Sequence, residues 1–171
     1  MGCLAIMLNM PQLLGKYEGR LSPLAAIATL PLLLIVHGLW WGRRSLSNED
    51  IFNEVTPELY VGRRPLTDEL PEAVTCVVDL TCEFWELASV RKDRDYRCIP
   101  TIDGSVPPSK TEFCALVDEL ADLDGTIYVH CAYGHGRAAI MAAAILMRQG
   151  HAADAVDALD GEGRLEGAQA V

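Results

Sequence analysis

The chain changes its hydrophobic pattern along its length. Residues 24–41 are eighteen positions without a formal charge, ending in Trp40 and Trp41 and followed by Arg43 and Arg44. A run of that length, closed by aromatic and then basic residues, predicts a transmembrane helix meeting its aqueous interface. Pro31 predicts a kink in it, and His37 interrupts its apolar character. A signal peptide fits less well, because the charged flank follows the run and no small-residue cleavage site is present. Residues 3–14 form a second apolar stretch, too short to span comfortably, which leaves an interfacial or re-entrant reading open. Downstream the pattern shortens. Thr126-Ile127-Tyr128-Val129 reads as a buried strand, and residues 138–148 read as an Ala-rich helix stopped by Gly150. Ser109-Lys110-Thr111-Glu112 is a capping box, and Phe113, Leu116, Val117 and Leu120 follow at helical spacing. A helix connecting two strands implies parallel crossovers. Residues 151–159 suggest one more short helix, and the tail from residue 160 is rich in Gly and Ala. Residues 1–47 therefore read as a hydrophobic, membrane-associated segment and residues 48–171 as an α/β domain.

Between the strand and the Ala-rich helix lies His130-Cys131-Ala132-Tyr133-Gly134-His135-Gly136-Arg137. Five residues between a cysteine and an arginine suffice for a loop whose backbone N–H groups converge on one point, and Gly134 and Gly136 permit the positive φ angles such a wrap needs. The helix that follows adds its positive dipole end, which favours a bound phosphate and a cysteine thiolate alike. Arg137 brings a planar fork of donors able to grip two phosphate oxygens at once. Ala132, Tyr133, Gly134, His135 and Gly136 are thus the candidate phosphate-binding loop. The bare spacing is weak; the strand before it and the helix after it carry the reading.

In this region the chain resembles the cysteine-dependent dual-specificity phosphatases of the protein-tyrosine phosphatase superfamily, whose signature is His-Cys-x-x-Gly-x-x-Arg followed by Ser or Thr. Glu58-Leu59-Tyr60-Val61-Gly62 looks like the opening strand of that family and Val77-Val78-Asp79-Leu80-Thr81 like its second. Thr101-Ile102-Asp103-Gly104-Ser105-Val106-Pro107-Pro108 is similar to its general-acid loop, especially in lipid-acting branches. The resemblance covers about residues 48–159. It implies a small central mixed or parallel sheet flanked by helices, and phosphoryl transfer without metal or other cofactor. Cys131 would be the nucleophile, Arg137 the phosphate clamp and Asp103 the general acid, with His130 supporting the thiolate from behind. The bland alternatives are a buried cysteine, a turn-forming Asp-Gly and a packed histidine. His135 could touch substrate or solvent. Cys82 lies near where some lipid phosphatases keep a redox partner for the nucleophile, although core packing explains it as well. One departure stands out: Ala138 replaces the hydroxyl that normally follows the arginine. Loss of such a donor costs about 2–3 kcal/mol, a rate factor of roughly 10².

Charge separates the two parts, with a net +3 before residue 48 and −13 after it. Such an acidic domain excludes nucleic acid as a partner and disfavours a polyphosphorylated ligand. The six cysteines have no paired spacing suggesting a disulfide scaffold or zinc site. A working thiolate needs a reducing compartment, and Arg43 and Arg44 favour the cytoplasmic side for the domain that follows, so a single-pass membrane protein with a cytoplasmic catalytic domain is expected. The expected substrate is a phosphoprotein or a phospholipid monophosphate. Two other readings stay open: a catalytically weak pseudophosphatase, binding phosphate at the membrane because of Ala138, and a sulfurtransferase carrying a persulfide on Cys131.

Overall fold

The structure is a computed structural model, and it describes residues 11–151; the helix expected at 151–159, the tail from 160 and most of the apolar run at 3–14 lie outside the described residues. A short 3-10 turn, Pro11–Leu14, leads into a hairpin of β1 (Lys16–Tyr17) and β2 (Arg20–Leu21). Then follow α1 (Pro23–Leu46), β3 (Phe52–Thr56), β4 (Leu59–Arg63), β5 (Val74–Thr81), α2 (Ala88–Arg91), β6 (Asp95–Thr101), α3 (Lys110–Ala121), β7 (Thr126–Cys131) and α4 (Gly136–Arg148).

Five strands form one mixed sheet in the order β3-β4-β7-β5-β6. β3 runs antiparallel to β4, and the remaining pairs are parallel. β7 is the middle strand and is buried on both faces, which explains its unbroken apolar run. Within this sheet the two strands absent from the sequence reading, β3 and β6, are the edges. Their side chains are mostly half-exposed, and Pro100 sits in β6, a position the ladder tolerates at an edge.

Strand alternation divides the chemistry between two faces. Cys76, Val78, Leu80, Ile127, Val129 and Cys131 point toward α3 and α4, where they pack with Leu116, Val117, Leu120, Met141, Ala142, Ile145 and Leu146. Tyr128 and Val77 point the other way and pack with Val74 and Val90. Asp79 and His130 are register partners on adjacent strands, both fully buried. Ser109 caps α3 as its sequence implies, with the Glu112 N–H donating to Ser109 Oγ at 3.2 Å.

The hairpin and α1 do not stand apart from the domain; buried contacts cross position 47/48. Lys16 reaches into the sheet and donates to Asp79 Oδ2 at 2.6 Å. Glu18 and Gly19 form the hairpin turn with φ of 47° and 75°. Gly19 is also where the turn presses on β6: a Cβ there would lie 2.7 Å from the Tyr96 hydroxyl. Helix α1 continues through Pro31 and buries Thr29, Leu33 and Trp40, spaced to share one face. Its other face leaves Leu24, Ile27, Leu30, Leu34, Ile35, Leu39 and Trp41 exposed. The helix is long and apolar enough to cross a membrane.

Candidate active site

Cys131 ends β7, and the chain turns at once into the loop that caps α4. Gly134 and Gly136 hold φ of 85° and 35°. These left-handed angles fold the loop back so that the His135 carbonyl accepts both the Cys131 thiol, at 3.2 Å, and the Ala138 N–H, at 3.1 Å. His135 is the residue before the first turn of α4, so the helix N-terminus faces the loop. Ala138 is fully buried in that turn.

Arg137 is buried too, and its guanidinium is held on several sides. Glu83 grips it with both oxygens, Oε1 to Nη2 at 2.9 Å and Oε2 to Nη1 at 3.2 Å. The Thr101 carbonyl accepts from Nη1 at 2.7 Å. Asp103 Oδ1 lies 3.0 Å from Nη2 on an otherwise exposed side chain. Burial works against the charge on Arg137, but Glu83, Cys131 and Asp103 outweigh it and hold its pKa above the ordinary arginine range. Burial likewise opposes the Glu83 carboxylate, and Arg137 prevails there, drawing its pKa down. Arg137 Nε is buried and makes no hydrogen bond among the described residues.

An open cavity of about 490 Å³ lies over this arrangement. It brings together Cys131, Arg137, Asp103, Tyr133, His135 and Gly136, and it adds Arg43 from α1. Val106 and Ile140 form apolar parts of its wall. Cys82 packs in a small cluster with Leu14 and Ile102, and its thiol donates to Glu83 Oε2 at 3.4 Å. Burial and Glu83 push its thiol pKa strongly up, so it stays protonated.

Behind Cys131 is a buried ionic network. His130 Nε2 is 3.5 Å from Glu86 Oε2 and 4.0 Å from Asp79 Oδ1. Burial lowers the His130 pKa to about 4, leaving a neutral ring at neutral pH. Burial and Asp79 raise that of Glu86 to about 7. Asp79, Glu86 and His130 bring ligand atoms within 4.8 Å of one another, a grouping that could hold a metal ion. The Lys16 ammonium, 2.6 Å from Asp79, and the Arg64 guanidinium, 3.6 Å from Glu86, already supply positive charge there, which makes it an internal salt network. Sequence reasoning missed Glu83, Glu86, Lys16 and Trp40. Glu83 and Glu86 had a signal, since two acids in the apolar stretch Phe84-Trp85 after a buried strand need partners.

A strand, a cysteine loop with left-handed glycines and a helix start, in a five-stranded mixed sheet, define a dual-specificity-type phosphatase domain. The chain belongs to the family described as polymorphic toxin system, DSP-PTPase phosphatase, which residues 65–151 match. Solved structures share the fold. DUSP15 aligns with a TM-score of 0.54 and 20% identity over 70% of this chain and 79% of its own. For PTPMT1 the values are 0.53 and 22%, over 63% and 80%. A variant of human DUSP28 gives 0.52 and 21%, over 65% and 81%. No curated protein shows a significant match to the sequence.

Proposed function

We propose that the chain is a cysteine-dependent phosphomonoester hydrolase acting through a phosphocysteine. The observation that supports this most is the shared cavity of Cys131, Arg137 and Asp103, beneath which the glycine-bearing loop meets the start of α4. The Cys131 thiolate attacks phosphorus, so that an S–P bond forms as the ester P–O bond breaks. Asp103 gives its proton to the departing oxygen. Arg137 and the loop N–H groups hold the equatorial oxygens as their charge redistributes. Water then attacks the phosphocysteine, Asp103 takes its proton, and inorganic phosphate leaves with the thiolate restored. Glu83 keeps the Arg137 fork in plane, and His130 supports the loop from the opposite face of the sheet.

The substrate is a phosphoprotein or a phospholipid monophosphate, met at a membrane to which the exposed face of α1 anchors the cytoplasmic catalytic domain, residues 48–171. Ala138 favours slow breakdown of the phosphoenzyme, since no hydroxyl stands there to assist the leaving sulfur. The test is stopped-flow hydrolysis of an aryl phosphate by the full chain under reducing conditions. A burst followed by slow turnover is expected, abolished in Cys131→Ser, weakened in Asp103→Asn, and with a faster steady state in Ala138→Ser. Wild-type rates in Cys131→Ser would overturn the reading.

A further inference from the structure

Three contacts tie the end of α1 and the turn after it to three residues of the phosphate loop. Trp40, 1% exposed, donates from Nε1 to the Ala132 carbonyl at 2.9 Å. The Arg43 guanidinium lies 4.8 Å over the Tyr133 ring and lines the cavity that holds Cys131. Glu49 Oε2 is 3.2 Å from His135 Nε2. The helix end is itself fixed. Trp40 packs on Phe84 at 5.5 Å, and Arg44 and Arg64 lie over its ring at 5.1 and 5.3 Å. Arg44 also pairs with Glu69 and donates to the Arg64 carbonyl at 3.2 Å.

Ala132, Gly134 and Gly136 have almost no side chain with which to fix the loop from inside. Besides the bonds to the His135 carbonyl, side chains from a segment some ninety residues earlier hold it: Trp40 and Ala132 are 92 positions apart and Glu49 and His135 are 86. A cradle works only if its N–H groups converge on the transition-state oxygens, and a misplacement of about 1 Å costs roughly 10²-fold.

We infer that the end of α1 is a clamp that sets the geometry of the phosphate loop, so that Trp40, Arg43 and Glu49 are positioning residues of the active site and turnover depends on the docked helix. This rests on the hydrolase reading of Cys131. It makes the apolar helix a working part of the site in addition to any anchoring role.

The experiment uses the full chain in detergent micelles. Trp40→Phe keeps a ring and removes the donor. Glu49→Ala removes the acceptor on His135, and Glu49→Gln keeps one. Leu34→Ala, on the exposed face of the same helix, is the control. The readouts are kcat and KM for an aryl phosphate, the Tm, and the rate at which iodoacetate alkylates Cys131. Trp40→Phe and Glu49→Ala should lower kcat about 10- to 100-fold with KM changed less than about threefold, and should slow alkylation. Glu49→Gln should restore most of the loss, and Leu34→Ala should match wild type. Variants that lose Tm alone, with kcat per folded molecule unchanged, would overturn the clamp. Should the wild type hydrolyse nothing, the hydrolase reading fails and alkylation decides: equal rates in wild type and Trp40→Phe overturn the clamp, while slower rates in the variant sustain it.

Discussion

Lys16→Met tests whether the hairpin is part of the domain. Lys16 Nζ donates to Asp79 Oδ2 at 2.6 Å, to the Thr81 carbonyl at 2.7 Å and to Thr81 Oγ1 at 2.7 Å, and both charged side chains are fully buried. Methionine fills a similar volume but leaves the Asp79 carboxylate without its counter-ion. Breaking one side of a buried pair costs about 3–5 kcal/mol. Asp79 keeps donors in the Tyr96 hydroxyl at 2.5 Å and the Thr81 N–H at 2.8 Å, which places the expected loss near the low end, about 3 kcal/mol. For a chain of this size that is a fall in Tm of roughly 6–12 °C. Thermal unfolding followed by circular dichroism reads it, with Tyr17→Ala as the exposed neighbour. The pH dependence adds a second check. Burial disfavours the charge on each partner, but Lys16 draws the Asp79 pKa below the carboxylate range and Asp79 holds that of Lys16 above its ordinary value. The contribution of Asp79 is present above about pH 4 and lost as pH falls through its folded value. That of Lys16 is present below about pH 10 and lost as pH rises through its folded value. The difference between wild type and variant should therefore be widest between those limits. A Tm within about 2 °C of wild type at pH 7 would refute the reasoning.

Two further outcomes follow from the buried network. Glu83→Gln takes away the charge that grips Arg137, and the loss of charge-assisted bonds worth about 1.5–3 kcal/mol should lower kcat/KM for an aryl phosphate by roughly 10- to 100-fold; an unchanged value would remove Glu83 from the site. Glu86 and His130 oppose each other below neutrality. With its pKa raised to about 7, Glu86 gains a proton in the folded state first, which stabilises the fold as pH falls. With its pKa lowered to about 4, His130 refuses one that the unfolded chain takes below about pH 6.5, which destabilises it. Glu86→Gln leaves only the second effect, so its stability should fall by on the order of 2 kcal/mol between pH 6.5 and 4.5, while wild type stays flatter. Chemical denaturation at both pH values measures this, and parallel curves would sink it.

The parts legible in the sequence are those whose physics is local. The loop from Cys131 to Arg137, the Ser109 cap and the apolar strand at 126 each carry their signal within a few residues. Asp103 was reachable through its likeness to an acid loop, and the structure places it in the same cavity as Cys131 and Arg137. What escaped depends on distance along the chain. Glu83 meets Arg137 across 54 positions, Lys16 meets Asp79 across 63, and Trp40 meets Ala132 across 92. Hydrophobicity alone read 24–41 as a membrane span, and α1 is long and apolar enough for one; what it hid is the stripe that meets protein, because an apolar helix looks the same whether its partner is lipid or a protein face. The periodic burial of Thr29, Leu33 and Trp40 emerges only once the domain is there to receive it.

The central place of β7 imposes an order on biosynthesis. β4 and β5 leave the ribosome earlier yet do not pair with each other; β7 enters between them and joins the β3–β4 hairpin to the β5–β6 pair. Without β7 the sheet divides into two separate two-stranded pieces, each marginal in water alone. The strand that closes the sheet is also the one that ends in the cysteine, so a chain cut before β7 lacks the central strand and the nucleophile together.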